Sequence, residues 1–291
     1  MAAGSTKVVV AALIGNGLIA ITKFGAAAHT GSSAMLSEAI HSVVDTVNQA
    51  LILFGIRQSK KPADEDHPFG YGMELYFWTF VVAILIFAVG AGVALYEGVE
   101  KIRYPQPVGN AFINYIVLGA AMVFEAVAWW LAFKEFERRR GHKSYFAAVR
   151  ESKDPALFTV LFEDTAAMLG LIIAFAGIGL GQAFEMAVLD GIASLLIGII
   201  LAAIAVVLAY ECKGLLVGEA ANKSVIRGIR AIVQSRHGVK ALNELLTMHL
   251  GPDDILVNLS VDFEDGISSE AVEAAISSLE TEIKNSYPEV K

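Results

Sequence analysis

The stretch SEAIHSVVDTVN, Ser37 to Asn48, lies inside a long apolar run yet carries Glu38, His41, Asp45 and Asn48. Steps of three and four residues keep side chains on one face of a helix, so these four positions form a single polar stripe. Between them Ala39, Ile40, Val43, Val44 and Val47 suit lipid or neighbouring helices. A carboxylate at mid-bilayer costs about 2.5–3.5 kcal/mol on insertion scales, so such a stripe in a membrane helix implies something that binds or pairs with it. A His and an Asp four residues apart offer one imidazole nitrogen and one carboxylate oxygen to a common centre, which suits Zn²⁺ or another first-row divalent ion. The lesser alternative in a membrane is that they bond to each other or to an adjoining helix.

The surrounding composition puts that helix in a bilayer. Of 291 residues 55% are hydrophobic and 18% charged, far from the balance of a soluble chain. A net charge of −8 gives no basic footprint for nucleic acid. Cys212 is the only cysteine, which excludes intrachain disulfides and Cys-rich metal clusters and leaves N and O ligands. No cleavable signal peptide is expected, because the first apolar segment has helix length.

Six apolar segments reach spanning length, near residues 6–28, 32–57, 73–100, 109–136, 155–180 and 184–212. The first contains Asn16 and Lys23, and Lys23 is expected to snorkel to the interface. The third is almost uniformly apolar behind a Tyr76-Phe77-Trp78 anchor and is expected to be structural. The fourth holds Glu125 beside Trp129 and Trp130, with no partner that spacing can name. The fifth opens on Asp154-Pro155, a capping residue before a proline, and carries Glu163 and Asp164. Adjacent residues lie about 100° apart on a helix, so Asp164 is expected to point at the centre and Glu163 toward an adjoining helix or the rim. Asp190 is expected to cap the sixth segment rather than act as a ligand.

Arg57, Lys60 and Lys61 in the 57–72 loop and Arg138, Arg139, Arg140, Lys143, Arg150 and Lys153 before the fifth segment mark one side as basic. The positive-inside rule then places both termini in the cytoplasm, in a bacterial inner membrane by expectation. Asp64, Glu65, Asp66 and His67 in that loop read as a solvated charge run or a cation site at the membrane face.

From residue 213 the composition becomes that of a soluble domain, so the chain divides as 1–212 and 213–291. An amphipathic helix, a strand ALNELLTMHLG, a Gly251–Asp254 turn, a strand alternating Ile255, Val257, Leu259, Val261 and Phe263, and a helix capped by Ser268 or Ser269 give the order α-β-β-α. A third strand would normally complete such a layer. Residues 218–291 hold 12 Asp/Glu against 7 Lys/Arg, a net of −5.

These features together resemble the cation diffusion facilitator family of zinc transporters. The resemblance rests on six spans, the H-x-x-x-D pair His41 and Asp45, the D-x-x-H-P-F-G-Y-G loop from Asp64 to Gly72, an acid in the fifth span and the αββα tail. SSAMLSEAIHSVVDTVNQ and LFEDTAAMLG look most like the branch containing an animal mitochondrial zinc carrier. It implies an α-helical membrane protein of six helices with a small ferredoxin-like or metallochaperone-like α+β cytosolic domain. It further implies a homodimer that exchanges a divalent metal for protons by alternating access, with zinc as substrate rather than cofactor.

Carried over by position, the transport site is His41 and Asp45 with Asp164. Many zinc members have a His where this chain has Val160, so Glu163, Asn48 or water must supply a fourth ligand. Mn²⁺, Fe²⁺, Co²⁺ and Cd²⁺ remain alternatives to zinc. The tail has Asn243 and Leu259 where some bacterial relatives have His ligands, so no regulatory zinc cluster is expected there. Two other classes compete. A membrane metal hydrolase needs an H-E-x-x-H-type arrangement, and Glu38 stands on the wrong side of His41. A metal-sensing receptor would bind metal with no flux.

Overall fold

A computed structural model describes the chain apart from residues 1, 31–32 and 106–110. For residues 2, 3, 26, 27, 29, 30, 33–38, 40, 41, 111, 113, 114 and 146 it describes the backbone alone. The chain forms two compact units, residues 1–58 with 74–213, and residues 59–73 with 214–291. The loop 59–73 therefore belongs with the tail, although its position in the sequence assigns it to the 1–212 part.

The first unit is a bundle of long helices: α1 (Ala2–Thr30), α2 (Ser33–Gln58), α3 (Glu74–Leu85), α4 (Gly92–Arg103), α5 (Ala111–Arg140), a short α6 (Tyr145–Arg150), α7 (Pro155–Ala183) and α8 (Val188–Val217). Among the described residues five stretches are long and apolar enough to cross a membrane: Gly4–Gly25, Glu74–Arg103, Tyr115–Arg140, Pro155–Ala183 and Val188–Val217. The expected sixth span, α2, has 26 residues, enough for a bilayer at about 1.5 Å per residue. Its burial is inside out by the standards of a soluble protein. Ser42, Asn48 and Gln49 are buried, whereas Val43, Val47 and Phe54 are exposed. The other long helices likewise expose Ile14, Ile21, Val123, Val127, Ile199 and Val206. This is the pattern of helices whose solvent is hydrocarbon, and the chain is an integral multi-pass membrane protein.

α1 packs on α2 and α5, α5 on α7, and α2 on α3. α4 and α8 meet across small residues, which let helix backbones approach closely. A Cβ on Gly191 would lie 2.8 Å from Ile102 Cγ1, and one on Gly198 would lie 2.7 Å from Leu95 Cγ. The third span is not uniform. A π-helical stretch, Ile86–Ala91, separates α3 from α4. The extra residue of a π-turn shifts the faces of the helix that follows, and such turns recur at functional sites.

The end of the bundle that carries the basic residues is the packed end. Residues 153–161 are buried without exception, and Leu157, Phe158 and Leu161 join Val9, Ile52, Val82, Phe136, Leu208 and Cys212 in one core. Asp154 occupies the N-cap position of α7, but its side chain makes no capping bond. It accepts instead from Arg139 Nη1 at 2.8 Å and from Ser5 Oγ. Arg139 also donates to Ser5 Oγ and to Glu135 Oε1, both at 2.8 Å. A guanidinium bond to a carboxylate is stronger than a neutral cap, so the ionic partner takes the carboxylate. Asp190, expected as a cap, instead lies within the first turn of α8 and pairs with Lys101 of α4 at 2.9 Å.

The second unit comprises α9 (Lys223–Gln234), β1 (Val239–Gly251), β2 (Asp254–Phe263) and α10 (Ser269–Ser286). β1 and β2 are antiparallel, with Leu242 opposite Val261 and Leu245 opposite Leu259. Val225, Ile229 and Val233 of α9 meet Leu279 and Ile283 of α10 and Ile255 in a separate core. Ser268 caps α10 by accepting from Ala271 N–H. The third place in the sheet is occupied at one point, where Val290 forms a parallel bridge with Ile255. The loop 59–73 lies against β1 at Gly72, where a Cβ would come within 2.3 Å of the Leu250 carbonyl oxygen. In that loop Asp64 accepts from Tyr71 Oη and from the His67 backbone N–H, each at 2.7 Å.

Two outcomes follow from these contacts. Arg139→Ala leaves Asp154 without its cation and should cost on the order of 3 kcal/mol, read as a lower Tm in detergent; an unchanged Tm would show that the network does not tie the helices. The Tyr71 hydroxyl, with the His67 amide, holds the Asp64 carboxyl below its ordinary value. The stability this adds is present above the ordinary carboxylate range and lost as pH falls through the depressed value. Tyr71→Phe should move the Asp64 titration upward in a carboxyl-resolved NMR experiment, and an unmoved titration would contradict the assignment.

Candidate functional site

The helix faces that meet in the middle of the bundle are polar. α7 presents Glu163 and Asp164 in succession, both buried. Glu163 points at α2, where its Oε1 accepts from Asn48 Nδ2 at 3.1 Å and its Oε2 from Gln49 Nε2 at 2.6 Å. Asp164 is 1% exposed, and its Oδ2 has no hydrogen-bond partner among the described residues. Asn48 Oδ1 and Gln49 Oε1 are buried acceptors in the same condition. Unpartnered buried oxygens are costly, and a hydrogen-bond donor, a cation or, for the carboxylate, a proton satisfies them.

Asp164 and Glu163 line a cavity of about 170 Å³ whose wall also carries Asn16, Lys23, Ser42, Asp45, Glu97 and Glu125. The cavity has room for a small cation with a few waters. It runs from Asp164 to Ala174 along α7 and from Asn16 to Lys23 along α1, away from the packed end. Glu125, for which spacing names no partner, comes from α5 to the same wall as Asp45 and Asp164. Trp129, one turn further along α5, donates from Nε1 to Thr165 Oγ1 at 3.0 Å and so holds α5 against α7. Lys23 does not snorkel: it is 6% exposed and turned to the cavity, where carboxylates compensate its charge. Glu97, Val93 and Ala94 reach the wall from α4 just beyond the π-turn, so the third span is more than structural.

The side chains of His41 and Glu38 lie outside the described residues; their backbone belongs to α2, with His41 one turn before Asp45. Among the described residues no three His, Cys, Asp or Glu side chains are gathered closely enough to hold a metal ion. Asp45, Glu125, Glu163 and Asp164 thus share one cavity without closing on a single point. Gln49, which sequence reasoning passes over, is the second donor to Glu163. Its signal was its position, a buried amide beside Asn48 and one turn from Asp45.

Comparison with known proteins identifies the family. A family model described as the cation efflux transmembrane domain matches residues 9–217. The human proton-coupled zinc antiporter SLC30A9, mitochondrial, is 34% identical over 263 residues, covering 90% of this chain and 46% of that protein. Metal tolerance protein C4 of Arabidopsis thaliana is 27% identical over 263 residues, covering 89% and 57%. Magnetosome protein MamB of Magnetospira sp. (strain QH-2) is 25% identical over 259 residues, covering 85% and 81%. The chain spans about half the length of the mitochondrial relatives it matches. With the model covering most of the chain, and the acid-lined cavity formed within the matched residues, the chain belongs to the cation diffusion facilitator family, whose members share the cation efflux transmembrane domain.

Proposed function

We propose that this protein is a proton-coupled antiporter of divalent metal cations, with Zn²⁺ as the leading substrate, that moves metal out of the cytoplasm by alternating access. The observation that carries the reading is the cavity in the middle of the bundle with Asp45, Glu125 and Asp164 on its wall. Its ligands would be His41, Asp45 and Asp164. Water fills a fourth position, since Glu163 already gives both carboxylate oxygens to Asn48 and Gln49, and Asn48 itself stands off the cavity wall. Loading requires a neutral imidazole and ionised carboxylates, so metal displaces protons and protons displace metal. That competition couples the two fluxes with no further chemistry, and the protein needs no enzymatic step.

The packed basic end and the cavity beyond Asp164 support one of two alternating states, the one closed toward the basic side. The Lys and Arg content of the loops supports placing that side, and both termini, in the cytoplasm, as in a bacterial inner membrane. Pairing of two copies through their soluble units would complete the assembly.

Val160 is fully buried one turn before Asp164 and gives no nitrogen. This favours a second reading in which harder ions such as Mn²⁺ or Fe²⁺ are carried alongside zinc. In proteoliposomes with an imposed pH gradient, the wild type should move zinc and protons in opposite directions. His41→Ala, Asp45→Ala and Asp164→Ala should each lower the flux at least tenfold. Unchanged flux in these variants would refute the site, saturable binding without flux would make the protein a receptor, and a panel of metals in the same assay ranks the substrates.

A further inference from the structure

Resting on that reading of the cavity, we propose that Gln49 is a positioning residue: its side-chain amide, with that of Asn48, makes Glu163 a strut between α2 and α7 that sets Asp45 across from Asp164, rather than a metal ligand. Each oxygen of the Glu163 carboxylate receives one amide N–H, from Gln49 at 2.6 Å and from Asn48 at 3.1 Å. Both donors come from consecutive residues of one helix, so the carboxylate is gripped from one side and its rotation is fixed. Gln49 is fully buried, and neither it nor Asn48 is on the cavity wall. In this arrangement Gln49 therefore acts on the site only through what it holds.

The position of the clamp gives it leverage. Gln49 lies one turn from Asp45 on α2, and Glu163 is the immediate neighbour of Asp164 on α7. A bond between residues 49 and 163 thus fixes the rotation and height of both helices at the level where the two cavity acids stand. The donors are also electrically neutral. A Lys or Arg would hold Glu163 more strongly, but it would add a second positive charge to that of Lys23 beside a site meant for a divalent cation. Two amides hold the carboxylate and leave the negative potential of Asp45, Glu125 and Asp164 to the substrate.

A clamp that served only to join helices would have a simpler form. Gln49 Oε1 and Asn48 Oδ1 remain buried with no hydrogen-bond partner among the described residues. An apolar pair would pack α2 on α7 without leaving buried oxygens unpartnered. Keeping the polar clamp fixes one register where an apolar contact would allow several.

The test is zinc binding to the purified full chain in detergent, measured by calorimetry, with Tm recorded alongside. Gln49→Leu removes the shorter bond and should weaken zinc binding at least tenfold. Glu163→Gln retains an amide-to-amide hydrogen bond and should bind within about threefold of the wild type. The exchanged pair, Gln49→Glu with Glu163→Gln, restores the carboxylate-amide bond in reverse and should recover affinity lost in Gln49→Glu alone. A merely structural contact would move Tm in Gln49→Leu but leave affinity unchanged in the protein that remains folded, and that result overturns the proposal. Loss of binding in Glu163→Gln and in the exchanged pair would make Glu163 a ligand and also overturn it. If the wild type binds zinc and Gln49→Leu binds as tightly, only the positioning role falls; if the wild type binds none, the transport reading falls and takes this role with it.

Discussion

Carboxylates gathered inside an apolar helix bundle repel one another and lack the water that would otherwise stabilise them, so they persist only where positive charge arrives to balance them. Asp45, Glu125, Glu163 and Asp164 come from three helices to one cavity, and Lys23 is the one basic side chain on its wall among the described residues. With Glu97 from α4 the wall carries five acids, and a single lysine does not balance them. On the proposed exchange the remainder comes from protons in one state and from a divalent cation in the other, so that one cavity serves both ions.

The rest of the bundle confines that need to one place. At the basic end, Leu157, Phe158 and Phe136 fill the space between helices, and the Ser5, Glu135, Arg139 and Asp154 network ties α1, α5 and α7 together. Beyond Asp164 the packing gives way to the cavity. The close α4–α8 contact at Gly191 and Gly198 and the π-turn before α4 set the face that carries Glu97 to the wall. Under the proposed alternating access, such unequal halves concentrate motion where packing is weaker.

Much of this was legible before any coordinates. Periodicity put Asp45 on the polar face of α2, while Asn48 turns to Glu163 and the side chains of Glu38 and His41 lie outside the described residues; the alternation of Ile255, Val257, Leu259 and Val261 marked β2. Asp154-Pro155 marked the start of α7, because a proline fits the first turn of a helix. What stayed hidden depends on how helices rotate and cross. The spacing within α5 says nothing of the distance from Glu125 to Asp45, and Lys23 near a helix end looks able to reach water until its neighbours close over it. The side chain of Asp154 has the composition of a cap, yet an arginine fifteen residues earlier in the chain claims it. The π-turn leaves no periodic mark in a span that is apolar on every face.

The central claim, that one divalent cation is held between α2 and α7 by nitrogen and oxygen donors, is tested most directly by X-ray absorption at the zinc edge on zinc-loaded protein. The account predicts a first shell of N and O atoms alone at about 2.0–2.2 Å, with the outer-shell signature of a single imidazole. It predicts too that the spectrum collapses to that of hydrated zinc in an Asp45→Asn, Asp164→Asn double variant. A sulfur in the shell, or a spectrum that survives the loss of both acids, would contradict it.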